Sequence, residues 1–235
     1  MAKRYSSEID LFQMFSPILI VLYLCIGFIP NLEAVDKIAP QWLAMTGLNL
    51  VSVLVIFYYK KTISKTITTS IVAAISITYI GFIFWAALSY FYAINPTEVI
   101  VNITRQGNVL LMVLCLGILL FKMKQKPVFI SWVITLILSI EVYSVLNEAL
   151  NMISNTGIIS SGDLKGVTAN RNITAFSLAI KIPFTLYLIL RIKKVSFKLL
   201  LGGLIFLSIF CLTMIQSRAS FIAIGLILIN YTALN

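Results

Sequence analysis

The chain has no histidine, only three cysteines and only eight acidic residues among 235. Without an imidazole, it supplies neither a histidine general base nor a histidine-containing metal site. Cys25, Cys115 and Cys211 are odd in number, lack metal-like spacing and each fall within an apolar run, so they read as packing residues. Charged residues of both signs make up 11% of the chain, too few for an ordinary soluble surface. Internal repeats, heptads, low-complexity tracts and soluble linkers are also missing, which reads as one transmembrane domain over residues 1–235. No small-x-small cleavage site follows the first apolar run, so the segment after Lys3 and Arg4 reads as an uncleaved helix and not as a signal peptide.

What is present is apolar. Hydrophobic residues are 60% of the chain and the mean hydropathy is +1.01, values that belong to a polytopic membrane protein. A bilayer core of about 30 Å needs roughly 20 apolar residues per helix. Eight stretches approach that length: 11–30, 41–59, 71–92, 107–121, 128–146, 172–190, 199–216 and 219–234. Their apolar character is continuous and does not alternate, which argues against a barrel, and a lipid-exposed backbone must satisfy its own hydrogen bonds. The expected fold class is therefore all-α, a helical membrane bundle of about eight transmembrane helices.

The formal net charge of +10 would suit nucleic acid, but its distribution argues for topology and against a nucleic-acid partner. Lys3 and Arg4; Lys60, Lys61 and Lys65; Lys122, Lys124 and Lys126; and Arg191, Lys193, Lys194 and Lys198 form clusters at every second connection. The intervening connections mix single cations with Glu33, Asp36, Glu98 and Asp163. By the positive-inside rule the amino terminus is cytoplasmic and membrane lipids surround the helices. The segment 147–171 then becomes the largest connection on the opposite face.

That segment ends in "KGVTANRNITAF", Lys165 to Phe176, at the mouth of a membrane helix. Gly166 allows a tight turn or a close approach to a ligand. Asn170 or Asn172 can cap the helix start, where exposed amides favour an anion. Arg171 adds permanent charge, and Arg218, one hairpin later, is expected on the same face; guanidinium groups grip phosphate oxygens bidentately. The arrangement suits a phosphate or pyrophosphate, although helix-start asparagines and boundary cations also serve purely structural ends.

Other polar residues leave alternatives open. Lys181 lies about 13 Å down the helix that begins near Asn172, deep enough to need a cavity or a partner; Glu141 offers either a structural ion pair or a substrate contact. Arg105 follows "INPTEVIVNIT", a segment that reads as lying along the interface, where the arginine meets headgroups or lines a donor groove. Glu148 and Asp163 read as solvated loop acids. Trp42, Trp85 and Trp132 read as interfacial anchors or packing, and the N-x-T triplets at Asn102, Asn172 and Asn230 as chance.

The pattern G-x-x-x-N-x-N at Gly166, Asn170 and Asn172, followed by "LTMIQSRASFIAI" with Ser217 and Arg218 at a helix junction, resembles the O-antigen ligase family of bacterial envelope glycosyltransferases. The specific residues cover about 166–225; the rest of the likeness is topological. The resemblance implies transfer of a glycan from undecaprenyl pyrophosphate to lipid A-core or another envelope acceptor at the periplasmic face of the inner membrane, with a GT-C-related architecture, no metal and no cofactor. It implies that Arg218, with Ser217, handles the donor pyrophosphate; the charge that grows on a departing pyrophosphate further suits Arg171 or Arg105 as assisting cations. Arg171 sits inside the pattern without matching a family residue. An O-antigen polymerase or protein O-oligosaccharyltransferase shares this region, and a transporter or flippase for a lipid-linked or anionic substrate is the reading from another class. Such ligases continue into a large histidine-bearing periplasmic loop and further helices, so this chain is expected to be a truncated piece, inactive by itself.

Overall fold

The computed structural model describes residues 2–30, 38–121, 123, 126–168, 170–217, 221–222 and 225, without the side chains of residues 2–11 and 62. All regular structure among them is helical, and no strand occurs among the described residues. Among the described residues, six helices are long and apolar enough to cross a membrane, which makes this a multi-pass membrane protein. They carry six of the eight expected stretches; the first stretch falls on the shorter apolar run Phe12–Phe28, and the eighth, 219–234, lies almost wholly outside the described residues. The chain forms two compact units, residues 1–124 and 125–235.

The first unit contains α1 (Ala2–Cys25), α2 (Ala39–Tyr58), α3 (Lys60–Ile71), α4 (Ala74–Leu88) and α5 (Pro96–Phe121). Helix α5 is its axis, with the other four packed against it. Two expectations change here. The basic connection Lys60–Ile71 is itself helical, because Ile63 and Thr66 recur at helical spacing and are buried while Lys60, Lys61 and Lys65 stay exposed. The segment before Arg105 does not lie along the interface as a separate piece. Pro96 opens α5, the Asn95 side chain accepts from the Glu98 amide at 3.4 Å, and Glu98 faces the positive helix end. The helix therefore starts eleven residues before the expected position 107 and, at about 39 Å, is longer than the membrane core.

Polar side chains inside this unit find one another. Tyr23 Oη donates to Asn49 Oδ1 at 2.7 Å, and Asn49 Nδ2 donates to the backbone carbonyl of Asn108 at 2.9 Å and to its side-chain oxygen. Asn108 Nδ2 in turn donates to Thr46 Oγ1 at 2.8 Å, and that hydroxyl donates to the Trp42 carbonyl at 2.8 Å. This chain ties α1, α2 and α5 together; Tyr79 Oη to Gln106 Oε1 does the same for α4 and α5. In apolar surroundings such groups associate because the alternative is an unsatisfied dipole.

The second unit contains α6 (Lys126–Thr156), α7 (Arg171–Arg191) and α8 (Val195–Ile215). Helix α7 packs against both others, and small Ala175 and Ala179, one turn apart and buried, let the backbones approach. Thr135 of α6 meets Thr185 of α7 at 3.0 Å, while Glu141 meets Lys181, so α6 and α7 are antiparallel. Trp132 lies against Phe197 and Cys211 Sγ lies 4.0 Å from the Val142 carbonyl, so α8 runs parallel to α6. Cys115 and Cys211 are buried free thiols, while Cys25 is only partly buried. Helix α6 reaches Thr156 and not 146, which shortens the connection before α7 to 157–170.

Candidate functional site

The connection 157–170 is a built loop. Gly157 leaves α6 with φ +72°, Asp163 donates its amide to the Ser160 carbonyl at 3.1 Å, and Leu164 is fully buried. A single 3₁₀ turn, Gly166–Thr168, then leads into α7. Gly166 has φ +54°, in the left-handed region that costs other residues energy. A Cβ there would lie 3.0 Å from Thr174 Cγ2 and 3.1 Å from Val145 Cγ2. Both conformation and space therefore require glycine.

Glu148 holds this turn from below. Its Oε2 accepts from the amides of Lys165 at 2.9 Å and Gly166 at 2.8 Å, charge-assisted bonds stronger than neutral ones. Glu148 is thus a clamp on the loop and not the solvated acid expected from the sequence. Thr174, one turn into α7, is buried and bonds to the Lys165 carbonyl and to Thr168 Oγ1, while Thr168 donates to the Asn170 carbonyl at 2.9 Å. The Thr of the Asn172 triplet therefore holds the junction together. Asp163 is exposed in the loop, as expected.

Asn170 caps α7: its Oδ1 accepts from the amides of Asn172 at 3.0 Å and Ile173 at 3.4 Å. Of the two asparagines proposed as caps, Asn170 takes the role, because its extended backbone (φ −138°, ψ 118°) aims the short side chain at those amides. These bonds also alter the anion reading: two amides at the helix start go to Asn170 and two in the preceding loop go to Glu148. The exposed permanent positive charge here lies instead on the side chains of Lys165 and Arg171. Asn170→Ala is expected to destabilise the protein by about 1 kcal/mol through loss of the cap, and Asn170→Asp to keep most of the stability. Thermal unfolding in detergent, followed by helical circular dichroism, checks both.

Helix α8 ends at the same end of the unit. Ile215 shares one buried cluster with Val145, Leu164 and Ala175, and Gln216 closes the helix in the left-handed conformation (φ 55°) with its amide on the Leu212 carbonyl. Ser217 follows and is buried. Gly166, Asn170, Arg171, Asn172 and Ser217 thus lie at the same end of the second unit, while Arg218 lies outside the described residues.

Lys181 lies deeper in α7, and its Nζ is 2.9 Å from both Glu141 oxygens. It also donates to the Ser177 carbonyl at 3.2 Å and to the Ser177 hydroxyl, which itself bonds Glu141 Oε1 at 2.9 Å. With side-chain exposures of 15% and 8%, this is a buried and fully bonded ion pair. Of the two roles open to Glu141, structural pairing is the one the geometry displays.

Arg105 belongs to the first unit, where its guanidinium carbon lies 5.7 Å from the centre of the Trp42 ring. The sequence reading missed Thr168 and Thr174 at the α7 junction and Tyr23, Asn49 and Asn108 in the first unit. The only available signal was polarity within otherwise apolar runs such as "GLNLVSVLVIF". No family model, no curated protein and no solved structure matches the chain.

Proposed function

We propose that this membrane protein is an O-antigen ligase-like glycosyltransferase. It moves a glycan from undecaprenyl pyrophosphate to lipid A-core or another envelope acceptor, at the periplasmic face of a bacterial inner membrane. The observation that supports this most is that two sequence-distant motifs, Gly166, Asn170 and Asn172 on one hand and Ser217 on the other, lie at the same end of the second unit. The positive-inside pattern favours the non-cytoplasmic side for that end, since the opposite end of the same three helices carries Lys126, Arg191, Lys193, Lys194 and Lys198.

In this reading the acceptor oxygen attacks the anomeric carbon, the bond from that carbon to the pyrophosphate oxygen breaks, and the acceptor's proton passes to a base. Negative charge grows on the departing pyrophosphate. Arg218 meets it as the catalytic cation, and Arg171, exposed in the first turn of α7, assists. Gly166, Asn170 and Asn172 set the backbone of the mouth. An O-antigen polymerase or a protein O-oligosaccharyltransferase differs only in the acceptor, so supplying each acceptor in turn separates them.

The test reconstitutes the protein, within its encoding open reading frame, with an undecaprenyl-pyrophosphate glycan and lipid A-core. Arg218→Ala is expected to reduce transfer at least tenfold, the scale of one hydrogen bond to a charged group; Arg218→Lys is expected to fall short of wild type because it lacks the planar fork. Undiminished transfer in a folded Arg218→Ala protein would reduce Arg218 to a boundary anchor and remove the reading. Transport of an anionic or lipid-linked substrate is a second reading, favoured by the intramembrane Lys181–Glu141 pair. It predicts movement of the lipid-linked glycan between leaflets with no acceptor supplied.

A further inference from the structure

We propose that the second unit binds an anionic phospholipid of the cytoplasmic leaflet, with one acyl chain in a groove between α6 and α8 and the phosphate at Lys194 and Lys198. The groove has a volume of about 520 Å³, and the described residues that shape it include Trp132 and Leu136 of α6 and Leu200, Gly203, Leu204 and Leu207 of α8. Thr135 and Ser139 also line it, but their hydroxyls are engaged with Thr185 at 3.0 Å and with the Leu136 carbonyl at 2.7 Å. The surface left to a ligand is hydrocarbon. Gly203 makes the room: nothing lies within 4 Å of where its Cβ would be, so α8 lacks the ridge that a larger side chain would raise there.

Length narrows the occupant. From Leu199 to Leu207 the groove follows α8 for about 12 Å, while one leaflet contributes about 15 Å, half of a core of about 30 Å. A single acyl chain fits a groove of that depth. A transmembrane helix of a partner needs the full core, and a polyprenyl chain is longer than a leaflet.

Charge selects the headgroup. Lys194 Nζ lies 5.8 Å from the centre of the Phe197 ring, and Phe197 packs edge-on against Trp132 with ring centres 6.5 Å apart, so the ammonium stands beside the ring pair at the basic end of the groove. Lys198 is exposed and directly precedes Leu199, which lines the groove. Trp132 suits the headgroup level there. Residues 122–140 and 184–204 include no aspartate or glutamate, so neither segment offers these lysines a carboxylate. The positive-inside pattern favours the cytoplasmic side for this end, and basic residues beside a groove between membrane helices on that side attract anionic headgroups. Topology alone requires the cations, but not an apolar groove of one leaflet's depth that ends beside them. The proposal does not rest on the glycosyl-transfer reading, whose motif residues lie at the opposite end of the unit.

The test places the full chain in phosphatidylcholine vesicles, with Trp42→Phe and Trp85→Phe so that Trp132 is the sole indole. Phosphatidylglycerol brominated in its acyl chains replaces the host lipid stepwise, with brominated phosphatidylcholine as reference. Half-maximal quenching by the anionic lipid is expected at roughly one-tenth of the mole fraction that the zwitterionic lipid needs, a tenfold preference in Kd. Lys194→Gln with Lys198→Gln is expected to bring the two lipids level. Lys60→Gln with Lys65→Gln, which removes the same charge from the first unit, is expected to leave the preference intact. Gly203→Leu fills the groove and is expected to abolish the preferential quenching with thermal unfolding unchanged; Gly202→Leu, at a neighbouring position whose Cβ site is equally open, is expected to retain it. Equal quenching by both lipids in the parent protein, or unaltered quenching in a folded Gly203→Leu protein, would overturn the site. Relief by polyprenyl phosphate but not by excess unbrominated phosphatidylglycerol would overturn the phospholipid. Quenching that falls as the protein-to-lipid ratio rises would give the groove to a second copy of the chain and overturn the proposal as well.

Discussion

Replacing Lys181 with methionine is expected to lower the unfolding free energy in detergent by about 3–5 kcal/mol, the cost of leaving one buried charge without its partner. Glu141 keeps its Ser177 bond in that variant but loses the ammonium that contacts both of its oxygens. Its side chain is only 8% exposed, so water cannot take the ammonium's place. The discriminating experiment is the double variant Lys181→Met with Glu141→Leu. Both charges are then gone, the volumes are similar, and most of the lost stability is expected to return, because a buried pair contributes little net stability over an apolar replacement. Denaturant titrations followed by tryptophan fluorescence measure all three proteins. A double variant as unstable as the single one would show that the cost lies in packing around α6 and α7 and not in the uncompensated carboxylate. Retained glycan transfer by the double variant would assign the pair a structural role; lost transfer with restored stability would bring it into substrate handling.

Gly166→Ala is expected to cost about 2–5 kcal/mol. One part is the left-handed backbone, about 1–2 kcal/mol for a residue with a Cβ. The other is overpacking, about 1–3 kcal/mol, since the new methyl would lie 3.0 Å from Thr174 Cγ2 and 3.1 Å from Val145 Cγ2. Neither neighbour can retreat easily, because the Thr174 hydroxyl is tied to Lys165 and Thr168, and Val145 is fully buried. Gly157 supplies an internal control: its φ is also positive, at +72°, but nothing lies within 4 Å of its Cβ position. Gly157→Ala is therefore expected to cost only the backbone part. Equal losses in the two variants, read from thermal unfolding, would show that close contact at the α7 mouth is unimportant. The same Gly166 variant pushes on the residue whose amide Glu148 holds, so proteolysis of the 157–170 loop is expected to quicken along with the loss of stability.

Some of the site was legible before any geometry. Asn170 and Asn172 stand at the start of an apolar run, where a cap is expected, and Asn170 is that cap. Lys181 has no business in hydrocarbon without a partner, and Glu141 was the candidate in the preceding apolar stretch. Glu148 was misjudged because its partners are backbone amides of a loop 17 and 18 residues away, which leave no trace in side-chain identity. The start of α5 was misplaced because its first turns mix polar residues such as Thr97, Glu98, Asn102 and Thr104 with apolar ones; the continuous apolar run begins later than the helix that carries it.

By itself, the sequence determined that this protein resides in a membrane, that it is helical, and about where most of its spans lie. Those properties depend on local composition and on the length of apolar run a bilayer demands. Only the tertiary structure decided which polar groups meet: Glu141 with Lys181, Glu148 with the Gly166 turn, and Tyr23, Asn49 and Asn108 across three helices. The reason is that lipid and helix neighbours are equally apolar, so hydrophobic periodicity does not mark which face of a span is turned inward. The pairing of polar side chains across helices is therefore visible only once the helices have been packed.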